Sequence, residues 1–143
     1  RTVATYVRGP AAGRQVEHAP DWVVRAGLTH ARRDAASPAR GDRWRGTLQA
    51  SHVARAYSDA SNTQSQPNGL QGVIPAYTVW DATFSVRVAE RLTRGVGGLR
   101  FEASVNNLFD RRYFTRRATG YPGPGIIPAE PRMVLAGLRL DVR

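Results

Sequence analysis

The chain has 143 residues, no cysteine, and a formal charge of +10 at pH 7 that rests on 21 basic residues, every one an arginine. The missing cysteines exclude a disulfide scaffold and thiolate metal sites, and no apolar run approaches the roughly 18 residues a membrane-spanning helix needs. The 14 glycines and 9 prolines announce many turns. The start, Arg1-Thr2-Val3-Ala4, has neither a leading Met nor the apolar core of a signal peptide, as expected of a piece of a longer protein.

Read in chain order, helix signals are scarce and period-2 alternation recurs, which predicts antiparallel strands. Thr2 to Val7 reads as a weak strand with mixed faces. Trp22, Val24, Ala26 and Leu28 then alternate with Val23, Arg25, Gly27 and Thr29. Trp44, Leu48, Ala50, Ala54 and Ala56 alternate with Arg45, Thr47, Gln49, Ser51 and Arg55. A third long segment sets Trp80, Ala82, Phe84, Val86 and Val88 against Asp81, Thr83, Ser85 and Arg87. The fourth sets Leu99, Phe101, Ala103 and Val105 against Arg100, Glu102, Ser104 and Asn106. The last sets Val134, Ala136, Leu138, Leu140 and Val142 against Gly137, Arg139, Asp141 and Arg143.

Successive side chains leave a strand on opposite faces, so each segment has one apolar and one polar side. Every Arg, Asp and Glu of the five segments falls on the polar side. His30 and His52 fall on the apolar one, and Val23 and Val53 on the polar one. A soluble sandwich would alternate too. The length of the segments, roughly 9 to 12 residues, suits a tilted strand that crosses a bilayer rather than a soluble strand of about five or six. The connections alternate as well: Arg33 to Arg43 and Ala89 to Gly98 are short, while Ser58 to Ala76 and Asp110 to Pro131 are long. Transmembrane barrels have short turns on one side and long loops on the other. Trp22, Trp44, Tyr57, Tyr77, Trp80 and Tyr113 gather near strand ends, where an interfacial girdle belongs. Aromatics packed in a sandwich core would flank strands in the same way. An arginine facing lipid at mid-depth costs roughly 2–4 kcal/mol, so charges confined to one side would line a wet lumen.

The run Val105-Asn106-Asn107-Leu108-Phe109-Asp110-Arg111-Arg112-Tyr113-Phe114 resembles the penultimate-strand motif of TonB-dependent outer-membrane receptors. Ile74-Pro75-Ala76-Tyr77-Thr78-Val79-Trp80-Asp81 resembles the family's strand start two strands from the end. Glu130 to Leu140 resembles the closing strand, and Ala19-Pro20 a habitual strand entry. Arg55 to Thr63 and Tyr113 to Arg117 are most similar to ferric-citrate and other ferric-siderophore receptors. The resemblance covers residues 16 to 143. It implies an all-β fold in which residues 1–143 form a meander of about the last six strands of a 22-stranded antiparallel transmembrane barrel with long extracellular loops. It further implies a Gram-negative outer-membrane location, import of ferric chelates, energy from TonB acting through an N-terminal plug absent here, and contact with lipopolysaccharide. Arg143 departs from the terminal aromatic usual in the family.

On that reading Arg55, Tyr57, Arg111, Arg112, Arg116 and Arg117 are the candidate substrate-binding residues, joined on the long loops by Asp59, Asn62 and Tyr121. Ferric citrate, catecholate and hydroxamate chelates are mostly anionic, and arginines at an outer mouth attract and hold them. The competing role for such arginines is to bind lipopolysaccharide phosphates or to solvate the loops. Asn106 to Asp110 is expected to be structural, its side chains bonding nearby backbone as a strand ends. His18, His30 and His52 lack metal-ligand spacing, and iron arriving inside its chelator needs no protein ligand and no cofactor. His30 and His52 belong to the interfacial belt. No nucleophile elbow or phosphate-cradling loop marks an enzyme, and the prolines around Gly120 to Gly125 make that stretch a loop.

Two other readings remain from the residues alone. A passive porin or barrel-anchored adhesin would lack an upstream plug. A soluble basic β domain binding nucleic acid would interleave aromatics and arginines on one face, whereas here most strand aromatics and the strand arginines lie on opposite faces.

Overall fold

The computed structural model describes residues 3–33, 41–67, 69, 71–90, 96–118 and 125–142. Among them the chain forms strands β1 (Val23–Arg33), β2 (Asp42–Val53), β3 (Ala56–Tyr57), β4 (Val73–Ile74), β5 (Tyr77–Ala89), β6 (Val96–Asn106), β7 (Phe114–Ala118), β8 (Gly125–Pro128) and β9 (Met133–Val142), and no helix. The five long strands make one sheet in the order β1-β2-β5-β6-β9, a meander once the short strands are set aside. The alternating segments of the sequence are these five strands. At about 3.3 Å per residue an 11-residue strand is roughly 36 Å long, which at a barrel's tilt spans the hydrocarbon layer.

Contacts divide the chain into two units. One comprises Ala26–Ala50, Trp80–Asp110 and Arg132–Arg143, and the other Arg1–Arg25, Ser51–Val79 and Arg111–Pro131. In the first, β6 lies antiparallel between β5 and β9, and the register sorts the residues by chemistry. Apolar rows cross all three strands: Ala82-Val105-Val134, Phe84-Ala103-Ala136 and Val86-Phe101-Leu138. Between them run Thr83-Ser104-Leu135, Ser85-Glu102-Gly137 and Arg87-Arg100-Arg139. Side-chain pairs of this kind fix a sheet's register, because a slip of one residue would turn every face over.

The apolar side is uncovered. Leu28 is 73% exposed and Leu138 68%, and among the described residues no large side chain is fully buried. A sandwich would close this face against a second layer; a lipid-facing barrel wall leaves it open. The ladder has one bulge between Arg87 and Ala89, where Val88 is the extra residue, and one between Val96 and Gly98.

The second unit is built from loops. Ala54, Ala56 and Ile74 are its buried apolar residues. β3 pairs with β4 through Ala56-Ile74 and Tyr57-Val73, and β7 pairs with β8. Ahead of β1, the Tyr6 and Val16 N–H groups donate to the Arg14 and Ala4 carbonyls, and Thr5 bridges Gln15.

Three expectations change. The stretch from Thr2 to Val7 forms no strand among the described residues, only that bridge, because its mixed faces give a sheet nothing to bury. The second alternating segment ends at Val53; Ala54 and Ala56 continue its parity but are buried in the loop unit. The two long connections are not plain loops: Ser58 to Ala76 contains β4 and the Ser65–Gly72 bridge, and Asp110 to Pro131 contains the pair β7–β8. Tyr121, Gly120 to Pro124, Arg143 and most of both short connections lie outside the described residues.

Candidate ligand-binding loops

The loop unit holds its shape through side chains that take backbone partners. Asp59 Oδ1 accepts the Ser61 N–H at 2.9 Å and the Thr63 hydroxyl at 3.0 Å, closing the turn after β3. Asn62, with φ of 53°, accepts the Gln15 N–H and donates to the Gln15 carbonyl, both at 2.8 Å, as a strand residue would. Asparagine is among the few residues that tolerate this left-handed backbone. Gly72 has φ of 144°, and a Cβ there would lie 3.2 Å from the Gln64 carbonyl oxygen, so the turn before β4 requires glycine.

Of the candidate residues, Arg117 is the most firmly held. Its Nη1 donates to the Gly69 carbonyl at 3.0 Å and its Nη2 to that of Val73 at 3.2 Å, which ties β7 to the segment leading into β4. Its guanidinium also lies 5.2 Å over the Phe114 ring. Tyr57 is half-buried, its hydroxyl accepting from Gln64 Nε2 at 3.0 Å, and its carbonyl accepts the His18 N–H. It therefore sits in the loop hairpin rather than in an aromatic girdle. Arg55 precedes that hairpin and is exposed; Arg111, Arg112 and Arg116 are exposed as well. Tyr77 and Tyr113 stack at 4.2 Å. Thus Arg117 and Tyr57 belong to the framework, while Arg55, Arg111, Arg112 and Arg116 are exposed to solvent. Sequence reasoning could not separate the two groups, because adjacent Arg116 and Arg117 leave β7 on opposite faces.

At the N-terminal turn Tyr6 donates to Glu17. That bond holds the Glu17 carboxyl below its ordinary range, and the same bond, with desolvation, raises the Tyr6 phenol above its own.

The run Asn106 to Asp110 is structural, as its chemistry suggests. Asn107 is buried with φ of 52°, and the Leu108 N–H donates to the Trp80 carbonyl at 2.7 Å. Asp110 accepts the Arg132 N–H at 3.0 Å. On the apolar side His52 stacks on Trp22 at 4.5 Å and bonds Thr78, and His30 lies 5.0 Å from Trp44. Among the described residues no group of His, Asp and Glu forms a metal site.

The family model for the TonB dependent receptor-like β-barrel matches residues 2–108. The chain belongs to the TonB-dependent receptors. This family consists of outer-membrane transporters of Gram-negative bacteria, not enzymes, and the open five-stranded sheet is a segment of its transmembrane barrel. The metal-pseudopaline receptor CntO of Pseudomonas aeruginosa is 38% identical over 68 residues, which is 48% of this chain and 8% of that receptor. The crystal structure of the unliganded ferric citrate transporter FecA shares the fold over 94% of this chain and 18% of its own, with a TM-score of 0.70 at 22% identity. The chain thus spans a small part of the length of either relative. The family match ends within the Asn106 to Asp110 run, while the structural likeness extends over nearly all of the chain.

Proposed function

We propose that this TonB-dependent receptor imports an anionic metal chelate, a ferric siderophore or ferric citrate, which its loop arginines capture first. The observation that carries this reading is the exposure of Arg55, Arg111, Arg112 and Arg116 around loops fixed by Asp59, Asn62 and Arg117. Guanidinium groups on a prearranged backbone bind carboxylates and other oxyanions through paired, charge-assisted hydrogen bonds. The two relatives, one a metal-pseudopaline receptor and one a ferric citrate transporter, support the same class of cargo. The metal arrives wrapped in its chelator, so the protein needs neither an iron ligand nor a cofactor of its own. TonB, acting through a plug domain, supplies the energy, and lipopolysaccharide surrounds the multi-pass barrel.

Binding of defined ferric chelates to the complete receptor in outer-membrane vesicles tests the proposal. Replacing Arg111, Arg112 and Arg116 together with glutamine should weaken binding at least on the order of tenfold, since each charge-assisted bond contributes about 1.5–3 kcal/mol. Unchanged affinity for every ferric chelate tried would remove the loops from the capture step.

A further inference from the structure

Strand β1 runs on past the alternating segment read from the residues, as far as Arg33, and carries Arg32 at the parity of Trp22, Val24, Ala26, Leu28 and His30. Successive residues leave a strand on opposite faces, so Arg32 stands on the apolar, lipid-facing side. Among the described residues it is the one arginine of the five long strands to do so. It is exposed and makes no ion pair or hydrogen bond through its guanidinium among those residues. Asp42, at the start of the neighbouring strand β2, gives its carboxylate to Arg45 instead. Deeper on the same face the wall is aromatic: the His30 ring lies 5.0 Å from that of Trp44, which lies 6.5 Å from Phe84. Arg32 is the next-to-last residue of β1 and Trp44 the third of β2, at the end joined by the short connection. In such barrels that end faces the periplasm.

We infer that Arg32, His30 and Trp44 form a headgroup site on the outside of the barrel for an anionic phospholipid of the inner leaflet, whose phosphodiester the guanidinium takes. An arginine facing lipid is costly at mid-depth and tolerated near an interface, but even there its N–H groups need acceptors. The acceptors at that depth are phosphate oxygens, which a planar guanidinium binds through two parallel bonds. The methylene stem of Arg32 lies along the apolar wall while the charge reaches outward. Trp44 suits the same depth, with a ring for the acyl chains and one N–H for an ester oxygen. His30, two residues deeper than Arg32, adds ring nitrogens at the glycerol level. With Asp42 held by Arg45, no carboxylate of β1 or β2 is left to receive an ammonium group. The site therefore favours a headgroup of net negative charge, such as phosphatidylglycerol, over a zwitterionic one. It rests on the lipid-facing wall and holds whatever cargo the receptor carries.

The test uses the complete receptor with Leu28→Cys labelled by bimane and reconstituted in phosphatidylcholine vesicles. Leu28 is 73% exposed on the same face as Arg32, four residues toward mid-depth, where the acyl chains of a lipid held at Arg32 would lie. Phosphatidylglycerol or phosphatidylcholine bearing an acyl-chain nitroxide is added at the same low mole fraction as quencher. The phosphatidylglycerol form should be enriched about fivefold at position 28, the ratio given by ~1 kcal/mol for an arginine beside anionic lipid. Arg32→Gln should bring that ratio to one. Salt at about 1 M, where the screening length is about 3 Å, should lower it with no substitution at Arg32. The same label at Leu140→Cys, on the lipid side of β9, should show a ratio indifferent to Arg32→Gln. Equal quenching by the two lipids at position 28 would overturn the site. So would a preference that Arg32→Gln or salt leaves intact, or one that Arg32→Gln abolishes equally at position 140. A label that neither lipid quenches would also overturn it, because protein would then cover this face.

Discussion

Asp81 Oδ1 accepts the backbone N–H of Asn107 at 2.9 Å, joining the early part of β5 to the residue that ends β6. The bond completes a latch in which Asn107 turns into the left-handed region, Leu108 bonds Trp80, and Phe109 meets the Trp80 ring edge-on at 6.3 Å. Asp81→Ala removes the acceptor of the buried Asn107 N–H and should cost about 1–3 kcal/mol, whereas Asp81→Asn keeps an acceptor and should cost less. Urea unfolding of the refolded receptor, followed by heat-modifiable gel mobility, compares the two. Equal losses would show that the carboxylate oxygen is not the anchor.

Asn107→Val should be worse than Asn107→Gly in the same assay. A β-branched residue in the left-handed region carries a steric cost of about 1–2 kcal/mol that glycine avoids. The opposite order would mean that the Asn107 side chain, rather than its backbone, is what the turn needs.

Arg116 and Arg117 should part company under substitution. Arg117→Lys cannot reach both the Gly69 and Val73 carbonyls with a planar fork, so it should loosen the loops and raise their protease sensitivity. Arg116→Lys should leave protease resistance unchanged and keep a salt-dependent affinity for anionic chelates. Limited proteolysis alongside binding at two ionic strengths separates these outcomes; identical behaviour of the pair would erase the distinction between framework and capture.

The bond between Tyr6 and Glu17 sets a pH window. Glu17 titrates below its usual 4.5, so the contact is fully formed above that value and is lost as pH falls through the lowered one. Tyr6 titrates above its usual 10.0, so the contact survives to that pH and is lost as pH rises through the raised one. Ultraviolet difference spectra of the unaltered receptor and Tyr6→Phe should isolate a phenol ionising above 10.0, and Glu17→Gln should bring it down. A Tyr6 titration indifferent to Glu17 would dismiss the pairing.

Expressed alone, the 143-residue chain should aggregate in buffer. β1 and β9 are open edges, and the face bearing Leu28, Phe84, Val134 and Leu138 is exposed. Light scattering with and without detergent reads this directly. A soluble monomer in plain buffer would contradict a lipid-facing wall.

Where the sequence is legible, one physical constraint repeats over many residues. Alternation of Trp80, Ala82, Phe84 and Val86 with Asp81, Thr83 and Ser85 defines both faces of β5 from the residues alone. The Asn106 to Asp110 run signals its own turn through local side-chain chemistry. The short pairs β3–β4 and β7–β8 are hidden because two to five residues carry no period, and because their supports are distant in sequence: Arg117 bonds Gly69 and Val73, and Asn62 bonds Gln15. Arg87, Arg100 and Arg139 each read as an ordinary polar-face arginine; only the register makes them neighbours. For the same reason Arg55, Arg111, Arg112 and Arg116 could be nominated with Arg117 but not distinguished from it.

The bulge at Val88 makes β5 unequally tolerant of changes in length. Deleting Val88 would bring Ala89 straight onto Leu99 after the Arg87-Arg100 pair and leave a regular ladder on both sides. Deleting Ser85 instead would invert Val86 and Arg87 ahead of the bulge, turning Arg87 to the lipid side and Val86 to the polar one; near the end of β5 the arginine alone costs roughly 0–1 kcal/mol, and the lost apolar contact of Val86 adds to it. Single-residue gaps among descendants of this strand should therefore collect at the bulge and be purged a few positions away.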